Sequence, residues 1–249
     1  MVPAVILAAG LGRRIAALTN GRPKALLEVN GRALVEREMD ALAAAGFHRV
    51  VLVTGHAPVA LRGLLSQGRA GLELVERWNP AFATANNIVS LLNAGDALEG
   101  GFCLLNSDIV FDPSILAELA TLSEGNWLVV DGDEPLGAEE MKVSLDGHGE
   151  ITRISKGLEP LAAAGEFIGI SRFDARGSAV LTATARRLVG EGGSGLYYED
   201  AIDACLGELV ARVLWTRRRP WTEIDDDLDY RRAQGVAQML DAAAAEVAR

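Results

Sequence analysis

A glycine turn with two arginines stands near the start of the 249-residue chain and could bind phosphate. It reads Gly10-Leu11-Gly12-Arg13-Arg14 and follows the apolar residues 2–7. Backbone N–H groups that converge in such a turn bind anions, and guanidinium groups pair with phosphate oxygens. A dinucleotide-binding fingerprint would need a third glycine at position 15, where the chain has Ile15. The arginines favour a more highly charged ligand, such as a triphosphate, although an ordinary strand-to-helix turn has the same glycines.

Lysine is rare in this chain, whose 24 basic side chains include only Lys24, Lys142 and Lys156 as lysines. Lys24 follows Pro23, ten residues beyond Arg14. A lysine held near a phosphate-binding turn can neutralise charge that develops on a phosphoryl oxygen. The three positions therefore indicate either sites that need a compact ammonium group or a codon bias that spared three lysines.

Two acidic segments offer carboxylates for a metal ion. Asp108 follows the apolar residues 102–105, and Asp225 stands within Glu223-Ile224-Asp225-Asp226-Asp227. A carboxylate at the carboxyl end of a parallel strand points into the crevice where such folds bind ligands. Beside a polyphosphate, the natural partner of a carboxylate is Mg²⁺. We expect Asp108 and Asp225 to hold Mg²⁺, and Asp226 or Asp227 to cap the last helix.

The elements that position these groups alternate between strand and helix up to about residue 135. Short apolar runs predict buried strands, and amphipathic stretches between them predict helices. The pattern predicts βαβ units in a Rossmann-like mixed, mainly parallel sheet with helices on both faces. The predicted strands are 2–7, 50–53, 72–76, 102–105 and 127–130, and the predicted helices are 34–45, 59–65, 86–97 and 113–122.

Beyond residue 140 the pattern changes to short strands separated by turns. Strands at 141–145, 151–155 and 167–173 predict a small β-rich lid laid over the first sheet. Helices at 175–189, 200–209 and 228–247 and a strand at 213–215 complete the chain. We expect a single domain over 1–249, with a nucleotide-binding core at 1–135, an acceptor lid at 136–175 and a C-terminal completion at 176–249.

Composition excludes several classes of protein. With 49% hydrophobic residues and a net charge of −10, the chain is typical of a folded soluble protein and not of a nucleic-acid binder. Two cysteines are too few for a disulfide framework, and the three histidines lack metal-ligand spacing. Since no apolar stretch is long enough to span a membrane and no leader is apparent, we expect a cytoplasmic protein.

The spaced combination of the glycine turn with Arg22-Pro23-Lys24 resembles the signature of nucleotidyltransferases that act on phosphorylated sugars and alcohols. The resemblance covers essentially the full chain and implies a glycosyltransferase-A-like nucleotidyltransferase fold. It implies that the loop wraps a nucleoside triphosphate and that Arg14 and Lys24 contact its phosphates. It also implies that Asp108 and Asp225 hold magnesium, in agreement with the expectation from the residues alone.

A second set of segments resembles the phosphocholine and 2-aminoethylphosphonate cytidylyltransferase branch of that family. Its core is Asn86-Asn87-Ile88-Val89-Ser90-Leu91, where sugar-nucleotide enzymes usually carry a glutamine and a Gly-Leu-Ala stretch. The other matching segments are Asn79-Pro80, Met141-Lys142-Val143, Ile154-Ser155-Lys156, Gly165-Glu166-Phe167-Ile168-Gly169-Ile170, Tyr198-Glu199-Asp200 and Glu223-Ile224-Asp225. Arg13, where many relatives have a small residue, and Ile15, in place of a usual leucine, depart from the pattern.

These segments supply the expected site residues. The catalytic set is Lys24, Arg14 and Asp108; the nucleotide-binding set is Leu7, Ala8, Ala9, Gly10, Gly12, Arg13, Asn86 and Asn87; the acceptor-binding set is Ser90, Lys142, Lys156, Tyr198, Glu199 and Asp200. Simpler roles compete with some of these. An asparagine at a helix start can be only a cap, a lysine on a hairpin can be only solvated, and tyrosines near a helix start often pack.

The sequence therefore predicts a Mg²⁺-dependent cytidylyltransferase that transfers CMP from CTP to a phosphocholine-like phospho-alcohol or a phosphonate, releasing pyrophosphate. Its partners would be CTP and a small acceptor, with no nucleic acid and no membrane, and a homodimer is compatible with the sequence. A sugar 1-phosphate or inositol 1-phosphate nucleotidyltransferase is the main alternative. A nicotinamide-dependent oxidoreductase and a non-catalytic nucleotide sensor are the alternatives from other classes.

Overall fold

The computed structural model describes residues 1–122 and 124–247. The strands are β1 Ala4–Ala8, β2 Glu28–Val29, β3 Arg32–Ala33, β4 Arg49–Thr54, β5 Glu73–Trp78, β6 Phe102–Asn106, β7 Ile109–Phe111, β8 Asn126–Asp131, β9 Lys142–Leu145, β10 Ile151–Ser155, β11 Gly165–Phe173, β12 Ala211–Trp215 and β13 Trp221–Glu223. The α-helices are α1 Ala16–Thr19, α2 Leu34–Ala44, α3 Pro58–Ser66, α4 Asn87–Asn93, α5 Ser114–Thr121, α6 Ala175–Gly190, α7 Tyr198–Cys205 and α8 Asp227–Val247. No helix of the described residues is both long and apolar enough to cross a membrane. Cytoplasmic location and homodimerisation stay predictions.

A nine-stranded mixed sheet forms the centre of the molecule and confirms the predicted fold class. Strands β5, β4, β1 and β6 are parallel neighbours in that order, and β11 continues the sheet antiparallel to β6. The chain adds β4 and β5 on one side of β1 and then returns to place β6 on its other side. Ligands bind where strand order reverses in this way, so the carboxyl ends of β1 and β6 mark the crevice.

Both faces of the sheet are covered by helices, as the continuous apolar strands predict. Every residue of β1 is buried, and its side chains alternate between two clusters. Val5 and Leu7 pack with residues of α4, α6 and α7, whereas Ala4 and Ile6 pack with residues of α2, α3 and α5. The strand that ends in the glycine turn is therefore fixed from both sides.

The segment expected to form a lid is part of the main sheet, which corrects that expectation. The nine-residue strand β11 is longer than its neighbours: its first residues pair with β9 and its last four pair with β6. A register shift between Phe167 and Ser171 separates its pairings with β8. Because one long strand joins both groups, the β9–β10 hairpin extends the sheet and does not lie over it. The division of the chain at residues 135 and 175 stays a prediction.

A two-stranded ribbon joins the C-terminal part of the chain to the crevice. Strand β13 pairs antiparallel with β7, and the N–H of Ile224 donates to the carbonyl of Asp108 at 2.9 Å. Helix α8 then packs on a third apolar cluster that contains Ile15, Leu27 and Ile224. The ribbon brings the segment around residue 225 beside the end of β6.

Gly55 lies so close to Phe82 and Ala9 that a side chain at this position should destabilise the protein. A Cβ at Gly55, just after β4, would lie 2.5 Å from Cβ of Phe82 and 2.6 Å from the carbonyl oxygen of Ala9. Since backbone would have to shift, we expect Gly55→Ala to lower the free energy of unfolding by about 1–3 kcal/mol. Gly63, inside α3 with open space around it, is the matched control, and Gly63→Ala should be neutral or stabilising by up to about 1 kcal/mol. Chemical denaturation of both variants tests this, and equal stabilities would contradict the close approach.

Candidate active site

A cavity of about 680 Å³ opens at the carboxyl ends of β1 and β6, where the strand order predicts a ligand site. Thirteen of the residues expected at the site line it: Leu7, Ala8, Ala9, Gly10, Arg14, Lys24, Asn86, Asn87, Ser90, Asp108, Lys156, Glu199 and Asp225. Five expected residues are not part of the lining: Gly12, Arg13, Lys142, Tyr198 and Asp200. The structure thus brings together residues from both halves of the chain.

The glycine turn is held against the stem of Lys24. Gly12 has φ = 55°, in the left-handed region that favours glycine, and a Cβ there would lie 3.3 Å from Cβ of Lys24. Ser107 donates its hydroxyl to the carbonyl of Leu7 at 2.8 Å and so fixes the end of β1 to the end of β6. Arg13 points outward and is exposed, whereas Arg14 reaches the cavity.

Lys24 bridges the two carboxylates that the sequence singled out. Its Nζ donates to Oδ2 of Asp108 at 2.9 Å and to Oδ1 of Asp225 at 3.1 Å. The other oxygen of Asp225 accepts from Nη2 of Arg14 at 2.8 Å. Burial alone would lower the pKa of Lys24, but the negative charges of Asp108 and Asp225 outweigh it and raise that pKa above its ordinary value. The lysine is therefore fully charged at neutral pH.

A third carboxylate completes a cluster that suits a divalent cation. One oxygen each from Asp108, Glu223 and Asp225 lies within 4.8 Å of the others, and we call these three the carboxylate cluster. Burial, together with the charges of Asp108 and Asp225, raises the pKa of Glu223 to about 8. Oδ1 of Asp108 is buried and has no hydrogen-bond partner among the described residues. Such an oxygen needs a ligand, and hard oxygen donors fit Mg²⁺.

Glu223 was missed as a ligand in the sequence, although a signal for it was present. Residues two apart in an extended segment share one face, so Glu223 and Asp225 point the same way on either side of buried Ile224. The alternation of acid, apolar residue and acid therefore predicts two carboxylates facing the crevice.

Asn86 and Asn87 connect the start of helix α4 to the start of helix α7 and the residues just before it. Asn86 caps α4 by accepting from the N–H of Asn87 at 2.8 Å, and its amide donates to the carbonyl of Gly195 at 3.2 Å. Asn87 accepts from the N–H of Tyr198 at 2.8 Å, and its amide lies 3.5 Å from an oxygen of Glu199. Both side chains border the cavity, but their amides are engaged in fixing α4 and α7.

The three residues of the Tyr198-Glu199-Asp200 segment have different roles. Tyr198 is fully buried in the core and donates its hydroxyl to Oδ1 of Asn106 at 3.1 Å. Asp200 accepts from the N–H of Tyr197 at 2.8 Å and thereby caps α7. Only Glu199 faces the cavity, and burial raises its pKa to about 7. The neighbouring Tyr197, which is 40% exposed, also lines the cavity.

Lys142 is a structural residue, which corrects the expectation that it grips the acceptor. It is fully buried, and its Nζ donates to the carbonyls of Gly137, Ala138 and Glu140 at 3.1, 3.2 and 3.0 Å. An ammonium group has three protons, and all three are used here. The lysine therefore shapes the loop before β9 and has no proton left for a ligand.

Carboxylates outnumber cations in the cavity wall. Among the described residues the acids that line it are Asp108, Glu134, Glu139, Glu140, Glu166, Glu199, Glu223, Asp225, Asp226 and Asp229, and the cations are Arg14, Lys24, Lys156 and Arg232. Burial and the nearby Glu140 and Asp131 raise the pKa of Glu166 to about 7. Arg232 had no sequence signal, and Glu166 was marked only as part of the matching segment 165–170. This excess of negative charge favours ligands that bring positive charge with them.

Comparisons with known proteins agree with this geometry. A CMP-5'-(3-aminopropyl)phosphonate synthase from Streptomyces rubellomurinus is 32% identical over 243 residues, which cover 93% of this chain and 38% of that protein. A 2-aminoethylphosphonate cytidylyltransferase from Lancefieldella rimae is 30% identical over 235 residues, covering 89% of this chain and 87% of that one. The solved CTP:phosphocholine cytidylyltransferase from Streptococcus pneumoniae has a TM-score of 0.82 at 23% identity and covers 95% of this chain and 99% of that chain.

The family resemblance inferred from the motifs is thereby confirmed. The structural likeness establishes the fold, and the two phosphonate-related sequences match nearly the whole of this chain. The sequence model of one protein family matches residues 4–190 of this chain, which include the glycine turn, Lys24 and Asp108. By that match, the chain belongs to the MobA-like NTP transferase domain family.

Proposed function

We propose that this protein is a Mg²⁺-dependent cytidylyltransferase that transfers CMP from CTP to a small phosphonate or phospho-alcohol and releases pyrophosphate. The observation that carries the proposal is the bridge from Lys24 to Asp108 and Asp225 beside the glycine turn. This bridge combines a cation that can bind phosphate with carboxylates that can bind a metal, at the place where the strand order of the sheet reverses. The names of the two phosphonate-related sequences support CTP as donor and a phosphonate as acceptor.

The reaction we propose is an in-line displacement at the α-phosphorus. An oxygen of the acceptor's phosphonate or phosphate forms a bond to the α-phosphorus, and the bond from that phosphorus to the bridging oxygen of the β-phosphate breaks. The electron pair of the broken bond leaves with pyrophosphate. Lys24 and Arg14 lie where they can neutralise the charge that develops on the phosphate oxygens. Positioning of the two substrates in one cavity supplies the rest of the rate increase.

The carboxylate cluster is the place we propose for magnesium. Asp108 and Asp225 would hold the ion with Glu223 as a further donor, and the partnerless Oδ1 of Asp108 is the strongest support for this fit. When bound, the ion would polarise the α-phosphate and orient it for attack. Lys24 contacts Oδ2 of Asp108 and Oδ1 of Asp225, so the partnerless Oδ1 of Asp108 would be available to the ion while the lysine faces the phosphates.

The nucleotide end of the cavity is shaped by small and fixed residues. Ala8, Ala9 and Gly10 line it with little side-chain bulk, and Phe82 packs beside Gly55 at its edge. Because the amides of Asn86 and Asn87 hold helix ends, we propose that they act by fixing the wall of the pocket and not by reading the cytosine directly. Ser90, which accepts from the amide of Asn79 at 3.0 Å, contributes a buried hydroxyl to the same wall.

The other end of the cavity, lined by Lys156, Glu166, Tyr197, Glu199 and Arg232, is the acceptor end. The ring of Tyr197 already faces Nζ of Lys156, which lies 5.7 Å from its centroid, so buried Glu199 is the group at this end that suits a cationic part of the acceptor. Two relatives whose names contain an aminoalkylphosphonate support an acceptor that carries an amine. A panel of nucleoside triphosphates and acceptors, including choline phosphate, sugar 1-phosphates and inositol 1-phosphate, tests this by pyrophosphate release.

Loss of the bridging lysine provides the most direct test of the catalytic assignment. We expect Lys24→Ala to lower turnover by at least about a hundredfold, because a key electrostatic contact with the phosphates is removed. Arg176→Ala, at an exposed position near the start of α6, is the control and should keep normal turnover. Steady-state release of pyrophosphate measures both, and near-normal turnover in Lys24→Ala would refute the assignment.

Removal of the metal or of its ligand should have related effects. We expect chelation to abolish turnover and added Mg²⁺ to restore it. Asp108→Asn should reduce turnover at saturating CTP by at least about a hundredfold and should raise the Mg²⁺ concentration needed for half-maximal rate. An enzyme that stays fully active in excess chelator would contradict the magnesium proposal.

The raised pKa of Glu199, the buried acid of the acceptor end, predicts that the stability of the protein depends on pH. This pKa of about 7 lies above the ordinary 4.5, so the folded state binds the proton more tightly than the unfolded state. The stabilisation is complete below about pH 4.5 and is lost as pH rises through about 7. Between pH 5 and 8, Glu199→Gln should therefore gain on the order of 1–3 kcal/mol in free energy of unfolding relative to wild type. Exposed Glu208→Gln is the control, and parallel pH curves for wild type and Glu199→Gln would contradict the shift.

A further inference from the structure

Two cations at the acceptor end are held only loosely in the free protein. Nζ of Lys156 lies 3.9 Å from an oxygen of Glu139, and a guanidinium nitrogen of Arg232 lies 3.9 Å from an oxygen of Glu134. By contrast, Lys24 contacts its two aspartates at 2.9 and 3.1 Å. All four side chains of the loose pairs are at least 40% exposed, and such exposed pairs stabilise a fold very little. They can therefore exchange partners at small cost.

Both acids of these loose pairs come from one irregular segment. Residues 132–141 connect β8 to β9 without regular structure and carry Glu134 and Glu139 on their exposed side. Lys156 directly follows β10, whereas Arg232 lies in α8, so the two cations reach the cavity from different elements. Through Glu134 and Glu139, this one segment therefore partly neutralises both cations.

Charge balance leaves few groups that can hold the acceptor's anion. A phosphonate or phosphate brings up to two negative charges into a wall that is already rich in carboxylates. Arg14 and Lys24 are engaged beside the carboxylate cluster, and buried Lys142 has no free proton. Of the cations that line the cavity in the described part of the chain, Lys156 and Arg232 remain. The guanidinium group matches two oxygens of a phosphonate at once, which an ammonium group cannot do.

We infer that Arg232 binds the anionic group of the acceptor together with Lys156, and that Glu134 and Glu139 occupy these cations until the acceptor displaces them. The inference rests on the proposed function and extends it to a residue of the C-terminal helix. Arg232 contacts the non-attacking oxygens and positions the acceptor for attack by the remaining oxygen. The two glutamates then become free to face solvent.

The kinetic test separates acceptor binding from nucleotide binding. Arg232→Ala should raise the acceptor KM at least tenfold, with the KM for CTP changed less than about twofold. The acceptor KM should rise less in Arg232→Lys than in Arg232→Ala, because lysine keeps the positive charge but lacks the planar guanidinium group that can bind two oxygens. Arg231→Ala is the matched control, since Arg231 is the exposed neighbour on α8 that does not line the cavity. An unchanged acceptor KM in Arg232→Ala, or equal rises in both KM values, would overturn the inference.

Removal of the competing acids should have the opposite effect. Glu134→Gln and Glu139→Gln should each lower the acceptor KM about two- to fivefold, since the acceptor no longer has to displace a carboxylate. Titration calorimetry with methylphosphonate gives a readout that is independent of turnover: wild type should bind it at least tenfold more tightly than Arg232→Ala. Failure of wild type to bind methylphosphonate would refute the anion site, whereas normal methylphosphonate binding without CMP transfer to any acceptor would refute the proposed function alone.

Discussion

The structure of the site depends on one ammonium group shared by two carboxylates. Asp108 ends one strand of the sheet, and Asp225 arrives from the C-terminal ribbon; without Lys24 their negative charges would repel each other across a partly buried gap. The glycine turn packs on the stem of the lysine, and the ribbon is hydrogen-bonded to the backbone of Asp108. Removal of one member of a buried ion pair leaves an uncompensated charge. The same contact thus sets both the local fold and the charge that we propose for nucleotide binding.

The distribution of charge explains how an acidic protein can bind an anionic substrate. The acidity of the chain is not confined to its outer surface, because the cavity wall is itself rich in carboxylates. Burial raises the pKa of partly buried Glu166 and of buried Glu199 to about 7, so these two acids carry less negative charge near neutral pH than ordinary glutamates. The remaining excess favours a nucleotide that enters with a divalent cation and an acceptor that carries an amine.

The parts of the site that could be predicted from the sequence are those fixed by strand ends. Parallel strands place their carboxyl ends at one edge, so the glycine turn after β1 and Asp108 after β6 could be expected to meet. The role of Lys142 could not be predicted, because its direction depends on how the preceding loop wraps around it. The pairing of β11 with three strands is a non-local property that a local pattern does not contain. Arg232 stands beside a second arginine on a helix, and only the packing of α8 decides which of the two faces the cavity.

The C-terminal ribbon and the last two helices also bear on how such an enzyme can diversify. The family model ends at residue 190, yet Glu199, Asp225 and Arg232 all lie beyond it and line the same cavity. The turn and the strands that we propose for nucleotide binding lie within the matched residues, while Glu199 and Arg232 of the proposed acceptor end lie beyond them. A lineage could therefore exchange or reshape this terminal segment to acquire a new acceptor and leave the nucleotide half of the sheet untouched. Selection on the two substrates can act on largely separate stretches of one gene.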